Sequence, residues 1–157
     1  MTECGSCELL ARRDAGLAPL WDRMVRTAGW DVVHNNGTDL AGWLVLVLRR
    51  HITSVADLTD EETAEFGPLV RAASRAVQEV VGCPRTYVVQ FSDHPRHRHV
   101  HVHVIPRHAD LPDEAHGPGI FRRHLGVPPD RLVPETERDR IALLVRDRLL
   151  PAFPGAE

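Results

Sequence analysis

His99-Val100-His101-Val102-His103-Val104-Ile105, with Pro106-Arg107 behind it, puts histidine at every second position and an aliphatic residue in each gap. Period two is the signature of a β-strand whose faces differ. The valines are expected in a core. The histidines are expected on one face, roughly 6.6 Å from one to the next at a strand rise of about 3.3 Å per residue. Two such imidazoles can meet one phosphoryl group. Pro106 has no N–H, so it is expected to end the ladder or to mark an edge. The bland alternatives are a surface strand that happens to carry histidine and an affinity tag. Strict alternation with valine, at an internal position, argues against both.

A chain of 157 residues, 43% hydrophobic and 26% charged, reads as one domain, 1–157, able to bury a core without staples. The net charge of −3 gives no bias toward nucleic acid or an anionic membrane, so neither is expected as a partner. All 19 basic residues are Arg, whose forked guanidinium suits phosphate. Met1-Thr2-Glu3-Cys4 has neither a basic nor an apolar leader, so no signal peptide is expected there. The longest apolar run, 41–48, is far short of the ~20 residues of a membrane helix. With three cysteines, these features fit a reducing cytoplasm.

Around the triad strand the chain divides by period. Residues 8–15 read as a short helix stopped by Gly16, and 19–27 with 30–34 as a strand hairpin. Trp43-Leu44-Val45-Leu46-Val47-Leu48 is too short and too apolar for anything but a central strand buried on both faces. Residues 58–81 carry an apolar stripe at helical spacing, with a Thr59/Glu62 capping box and Gly82 as its stop, and Pro68 is expected to kink or split it. Residues 85–91 form a strand that hairpins onto the triad strand. Residues 108–134, rich in Pro and Gly, read as a long loop, and 135–150 as a final helix. The order of strands and helices predicts an α+β fold, an antiparallel sheet with helices packed on one face.

Neutral imidazole is a nucleophile near neutral pH and can form a covalent phospho- or nucleotidyl-histidine. Neighbouring imidazoles can donate to phosphate oxygens or protonate a leaving group. A single three-histidine zinc site on one strand is disfavoured, because i and i+4 lie too far apart to share an ion at ~2.1 Å. Cys4-Gly5-Ser6-Cys7 is ambiguous by itself: a redox pair, half of a zinc site, or two unremarkable small residues. Before the triad stands His94-Pro95-Arg96-His97-Arg98. By alternation His97 shares the triad's face, and Arg96 can offer a phosphate a guanidinium fork.

The triad stretch resembles the signature of the histidine triad (HIT) family, His-φ-His-φ-His-φ-φ with φ apolar, at every position. The order of elements is similar to that family's α+β fold over 1–107. The resemblance implies that His99, His101 and His103 form the catalytic triad. His101 would attack the α-phosphate of a nucleotide, water would hydrolyse the nucleotidyl-His101, and His103 would contact the phosphate. It further implies structural zinc on Cys4, Cys7, His51 and His99, a ribose contact from Asn35, and a homodimer. Two places depart from the family: Trp43 stands where relatives have His after the glycine, and 94–98 replaces a Gly-Gln-Ser loop.

The leading expectation is a nucleotide hydrolase acting on phosphoanhydride or phosphoramidate bonds, with dinucleoside polyphosphates as the first substrate class to try. The alternatives are a nucleotidyltransferase and a non-catalytic zinc- or nucleotide-binding module. His103 favours hydrolysis, because the transferase branch carries Gln in the third place.

Overall fold

The alternation of the two apolar strands generates the whole architecture. In the computed structural model, which describes residues 4–157, the run after Gly42 is β3 (Leu44–Leu48) and the histidine stretch is β5 (His101–Arg107). They pair antiparallel, with Val45 opposite His103 and Val47 opposite His101. Residues 1–3, on which the reading of the N-terminus rests, lie outside the described residues. With β1 (Val25–Arg26), β2 (Trp30–His34) and β4 (Arg85–Val89), these strands form a five-stranded antiparallel sheet in the order β1-β2-β3-β5-β4.

Period two then sorts the side chains. Leu44, Leu46, Leu48, Val100, Val102 and Val104 are buried in one core against α2 (Asp60–Val81) and α4 (Glu135–Leu149). The opposite face carries Trp43, Val45, Val47, His101 and His103. Two short helices border it: α1 (Gly5–Asp14), whose Leu10 packs on Val33 and Val47, and α3 (Gly119–His124), whose Ile120 packs with Trp43 and Ile105. The α+β fold is therefore as expected, but only the long helices share a face. The short ones leave room between them on the other.

Several local expectations change. β5 begins at His101 rather than His99, because the chain turns at His97–His99 (His99 N–H to His97 O, 2.8 Å) before joining the ladder. Pro106 neither ends the strand nor lies on the sheet's edge: it pairs with Thr86, past the last β3 partner at Val104, where no donor toward β3 is needed. Pro68 does not split α2; it and Ala64, whose carbonyl loses its helical donor, are both exposed to water. The first expected strand shrinks to Val25–Arg26, with a single helical turn at Leu20–Asp22 before it.

The caps of α2 are as expected. Thr59 Oγ1 accepts from the Glu62 N–H (3.2 Å), Glu62 Oε2 accepts from the Thr59 N–H (2.9 Å), and Gly82 closes the helix at φ +71°. Within 108–134, α3 replaces part of the expected loop, and this segment is stitched along residues 37–39 by Gly126 N–H to Gly37 O (2.7 Å) and His124 Nδ1 to Asp39 Oδ1 (2.7 Å). Among the described residues, no helix is long and apolar enough to cross a membrane.

Candidate active site

The exposed floor of β3 and β5, walled by α1, α3 and the 91–97 loop, is a cavity of about 440 Å³, within the range of small-molecule sites. His101, His103, His97 and Asn35 line it.

Each triad histidine has a different partner, and the partner fixes the ring's proton. His99 is fully buried, and its Nε2 stands 2.6 Å from the Leu48 carbonyl. A carbonyl only accepts, so Nε2 carries the hydrogen and Nδ1 keeps its lone pair. His101 is reversed: Nδ1–H donates to the His99 carbonyl at 2.7 Å, which leaves Nε2 as the lone pair. His103 alternates again, because Nδ1 accepts from the indole N–H of Trp43 at 3.0 Å and the hydrogen must sit on Nε2. Burial depresses all three pKa values, His103 furthest, down to about 3, and the neighbouring His101 adds to the shift there. The cavity thus holds a neutral imidazole with a free Nε2 beside a neutral imidazole that can donate from Nε2.

The backbone N–H of His101 donates to Ser92 Oγ (3.3 Å), and Ser92 itself is held at φ +57°. A non-glycine residue in this conformation at a cavity wall is local strain kept by its surroundings. Asn35 is buried, and its Oδ1 accepts from the Gly37 N–H (2.8 Å). His97 reaches back to α1, with Nδ1 3.1 Å from Ser6 Oγ. Arg96 turns away: it is exposed, 3.5 Å from Glu8, and outside the cavity wall. The structure therefore brings His97 to the triad but not Arg96, because Gly5 N–H holds the Arg96 carbonyl (2.7 Å) and aims the side chain along α1.

Cys4, Cys7, His51 and His99 converge on the far side of His99. The His51 and His99 Nδ1 atoms are 3.3 Å apart; Cys7 Sγ is 3.2 and 3.6 Å from them, and Cys4 Sγ is 3.8 Å from His99. A tetrahedral zinc with bonds of about 2.3 Å to S and about 2.1 Å to N has N···N edges near ~3.4 Å and S···N edges near ~3.6 Å. The donor set fits that ion in type and in spacing. Burial and the adjacent Cys4 thiol push Cys7 up to about 11, so a thiolate there needs a cation beside it. The hydrogen bond to Leu48 leaves His99 in the tautomer a metal requires. Four protein ligands leave no open position, which is the pattern of a structural site.

Several cavity residues had no signal in the sequence. Phe121 of α3 stands edge-on to His103 at 5.3 Å, yet lies in the stretch read as loop. Arg13 and Asp22 form a buried pair (2.7 Å) beside the cavity, from a helix and a turn with no motif. The bond from Trp43 to His103 was legible only as a departure from a pattern.

The family model for the HIT domain matches residues 28–110, more than half of the chain. Solved structures align over nearly all of it. A zinc-bound histidine triad family protein of Mycobacterium smegmatis superposes with a TM-score of 0.64 at 17% identity, covering 95% of this chain and 96% of its own. A Hit-like protein involved in cell-cycle regulation from Bartonella henselae gives 0.64 at 15% (89% and 94%). A hypothetical histidine triad nucleotide-binding protein of Sulfolobus tokodaii gives 0.65 at 14% (91% and 91%). At such identities the likeness is one of fold. No curated protein matches the sequence.

Proposed function

The chain belongs to the histidine triad (HIT) family, and from that premise we propose that it is a nucleotide hydrolase working through a covalent nucleotidyl-histidine. The bond from His101 Nδ1–H to the His99 carbonyl is the observation that carries this reading, since it leaves Nε2 as a lone pair on a residue lining the cavity. In the first step Nε2 of His101 attacks the α-phosphorus, the P–N bond forms, and the bond from phosphorus to the leaving oxygen or nitrogen breaks. An anhydride leaving group departs as a phosphate anion, and an amine leaves with a proton taken from the site or solvent. The same Nδ1–H bond stabilises the positive charge that the ring acquires. In the second step water attacks phosphorus, the P–N bond breaks, and the nucleoside monophosphate is released with His101 regenerated.

His103 donates from Nε2–H to a non-bridging oxygen, and His97 and Asn35, which line the same cavity, contact the phosphates and the ribose. Arg96, exposed at the rim, is retained only as a contact for the outer phosphates of a long substrate. Phosphoanhydrides, dinucleoside polyphosphates first, and phosphoramidates are the substrate classes. Cys4, Cys7, His51 and His99 are proposed to hold zinc, which when bound supplies a structural cross-link between α1 and the triad strand. A single domain over 1–157, a homodimer and a cytoplasmic location complete the proposal.

The test is mass spectrometry of the protein quenched during turnover with diadenosine polyphosphate and with an adenylated amine. A nucleotidyl adduct on His101, and loss of turnover by at least about 10³-fold in a folded His101→Ala variant, are expected. Tight nucleotide binding with no adduct and no turnover on either substrate would make the chain a binding module instead.

A further inference from the structure

Trp43 stands one residue ahead of β3, on the cavity side, and is fully buried. Its position is set from both ends. Gly42 adopts φ +88°, and its N–H donates to His34 Nε2 at 2.9 Å. On the other side Leu40, Ile105 and Ile120 pack around the indole. Phe121 closes the arrangement, edge-on to Trp43 at 5.3 Å and to His103 at 5.3 Å. The indole N–H is left with one partner, Nδ1 of His103, at 3.0 Å.

We propose that Trp43 is a positioning residue that locks His103 as a permanent Nε2–H donor, neutral and unable to exchange tautomers, toward the phosphoryl oxygen. An indole nitrogen can only donate, so Nδ1 can only accept. Moving the histidine proton to Nδ1 would set two N–H groups against each other on the side of the ring buried against Trp43, leaving both unpaired. Protonating the ring would do the same and add a buried charge. The rings that face His103 are Trp43, Phe121 and His101, and Val45 and Val89 stand opposite it on the neighbouring strands. None supplies a carboxylate that could favour the imidazolium.

A free imidazole exchanges its proton between its nitrogens, so only part of its population offers Nε2–H at any moment. The lock removes the competing Nδ1–H tautomer and keeps the Nε2–H donor aimed before substrate arrives, the form in which a hydrogen-bond donor contributes most to a transition state. His103 is thereby excluded as a proton source for the leaving group. The catalytic part of this inference rests on the proposed phosphoryl chemistry, whereas the tautomer lock does not.

The experiment uses the zinc-loaded, ¹⁵N-labelled full chain and long-range ¹H–¹⁵N spectra of the histidine rings from about pH 5 to about pH 8. Wild type is expected to show His103 with an unprotonated Nδ1 and a protonated Nε2 at every pH. Trp43→Phe keeps a ring but removes the donor, and its His103 signals should average between tautomers or move with pH. Phe121→Leu loosens the same packing but keeps the donor, so its His103 pattern should match wild type. With a turned-over nucleotide, kcat of Trp43→Phe should fall about tenfold while KM stays within about twofold.

An averaged or titrating His103 in wild type overturns the lock, and that result needs no variant to fold. So does a Trp43→Phe spectrum equal to wild type, or a Phe121→Leu spectrum that scrambles. Scrambled tautomers with unchanged kcat overturn the positioning role. If wild type turns over no nucleotide, the proposed function fails and the spectra alone decide the lock.

Discussion

His99 holds His101: its backbone carbonyl accepts the Nδ1–H of His101 at 2.7 Å, while its own ring Nδ1 lies within 3.8 Å of Cys4, Cys7 and His51. The residue that orients the proposed nucleophile is thus also a donor of the proposed metal cluster. Zinc removal should reach the active site through one residue. We expect about one zinc per chain in the purified protein, and chelation or Cys4→Ser should lower both thermal stability and turnover. Elemental analysis and a melting curve before and after chelation check this. Unchanged turnover in a zinc-depleted, folded protein would separate the cluster from His101.

Arg13 is buried between two acids, 2.7 Å from Asp22 and 3.5 Å from Asp31. It also donates Nε–H to the Asp22 carbonyl at 2.7 Å. Burial pushes the Asp22 carboxyl up, and Arg13 is the main group that opposes this. Arg26 still pairs with Asp31, so Asp22 is the acid left unpaired when Arg13 is removed. Arg13→Ala should therefore destabilise by about 3 to 5 kcal/mol, the range for stranding a buried charge. A urea titration checks it, and a loss under about 1 kcal/mol would show that water reaches Asp22.

What could be read in advance follows from how local each signal is. The triad strand, its β3 partner and α2 are written in period and caps, within a few residues each, and the sheet follows from them, whereas the Cys/His cluster comes only with the family resemblance, since Cys4-Gly5-Ser6-Cys7 by itself is ambiguous. Arg96 and His97 share one loop, yet only His97 faces the triad, since the loop's direction is set by Gly5, about 90 residues away. Phe121 and α3 were hidden because a six-residue helix has no full apolar period and is held by contacts to residues 37–39. The role of Trp43 depends on a hydrogen bond to a residue on another strand, which no spacing encodes.

Gly42 is a further stability point. Its φ of +88° lies where side chains are strained, and a Cβ there would come within 2.7 Å of Val81 Cγ1. Gly42→Ala should cost about 2 to 4 kcal/mol from strain and overpacking together. Because Gly42 precedes Trp43 and its N–H holds His34, any backbone shift that relieves the clash should change the Trp43 environment. Chemical denaturation gives the first number, and the near-ultraviolet signal of the buried indoles the second. A variant as stable as wild type would show that Val81 yields freely.

The last prediction concerns acid. His34 is buried with both ring nitrogens bonded inside the protein, donating from Nδ1 to the Asn35 carbonyl (2.7 Å) and accepting at Nε2 from Gly42 N–H. Burial pushes it down to about 4, and pushes His103 down to about 3. In the unfolded chain both return to about 6.5. Between these limits the unfolded state binds more protons than the folded one, so stability must fall as pH falls. The contribution is fully present above about pH 7, drains from about 6.5 downward, and levels off only below the folded values. For His34 alone the swing is on the order of 3 kcal/mol. A series of urea midpoints from about pH 7.5 to about pH 4.5 should therefore decline steadily, and His34→Gln, which can keep one donor and one acceptor, should flatten the curve. A midpoint independent of pH across that range would mean that His34 is charged, or reached by water, in the folded protein.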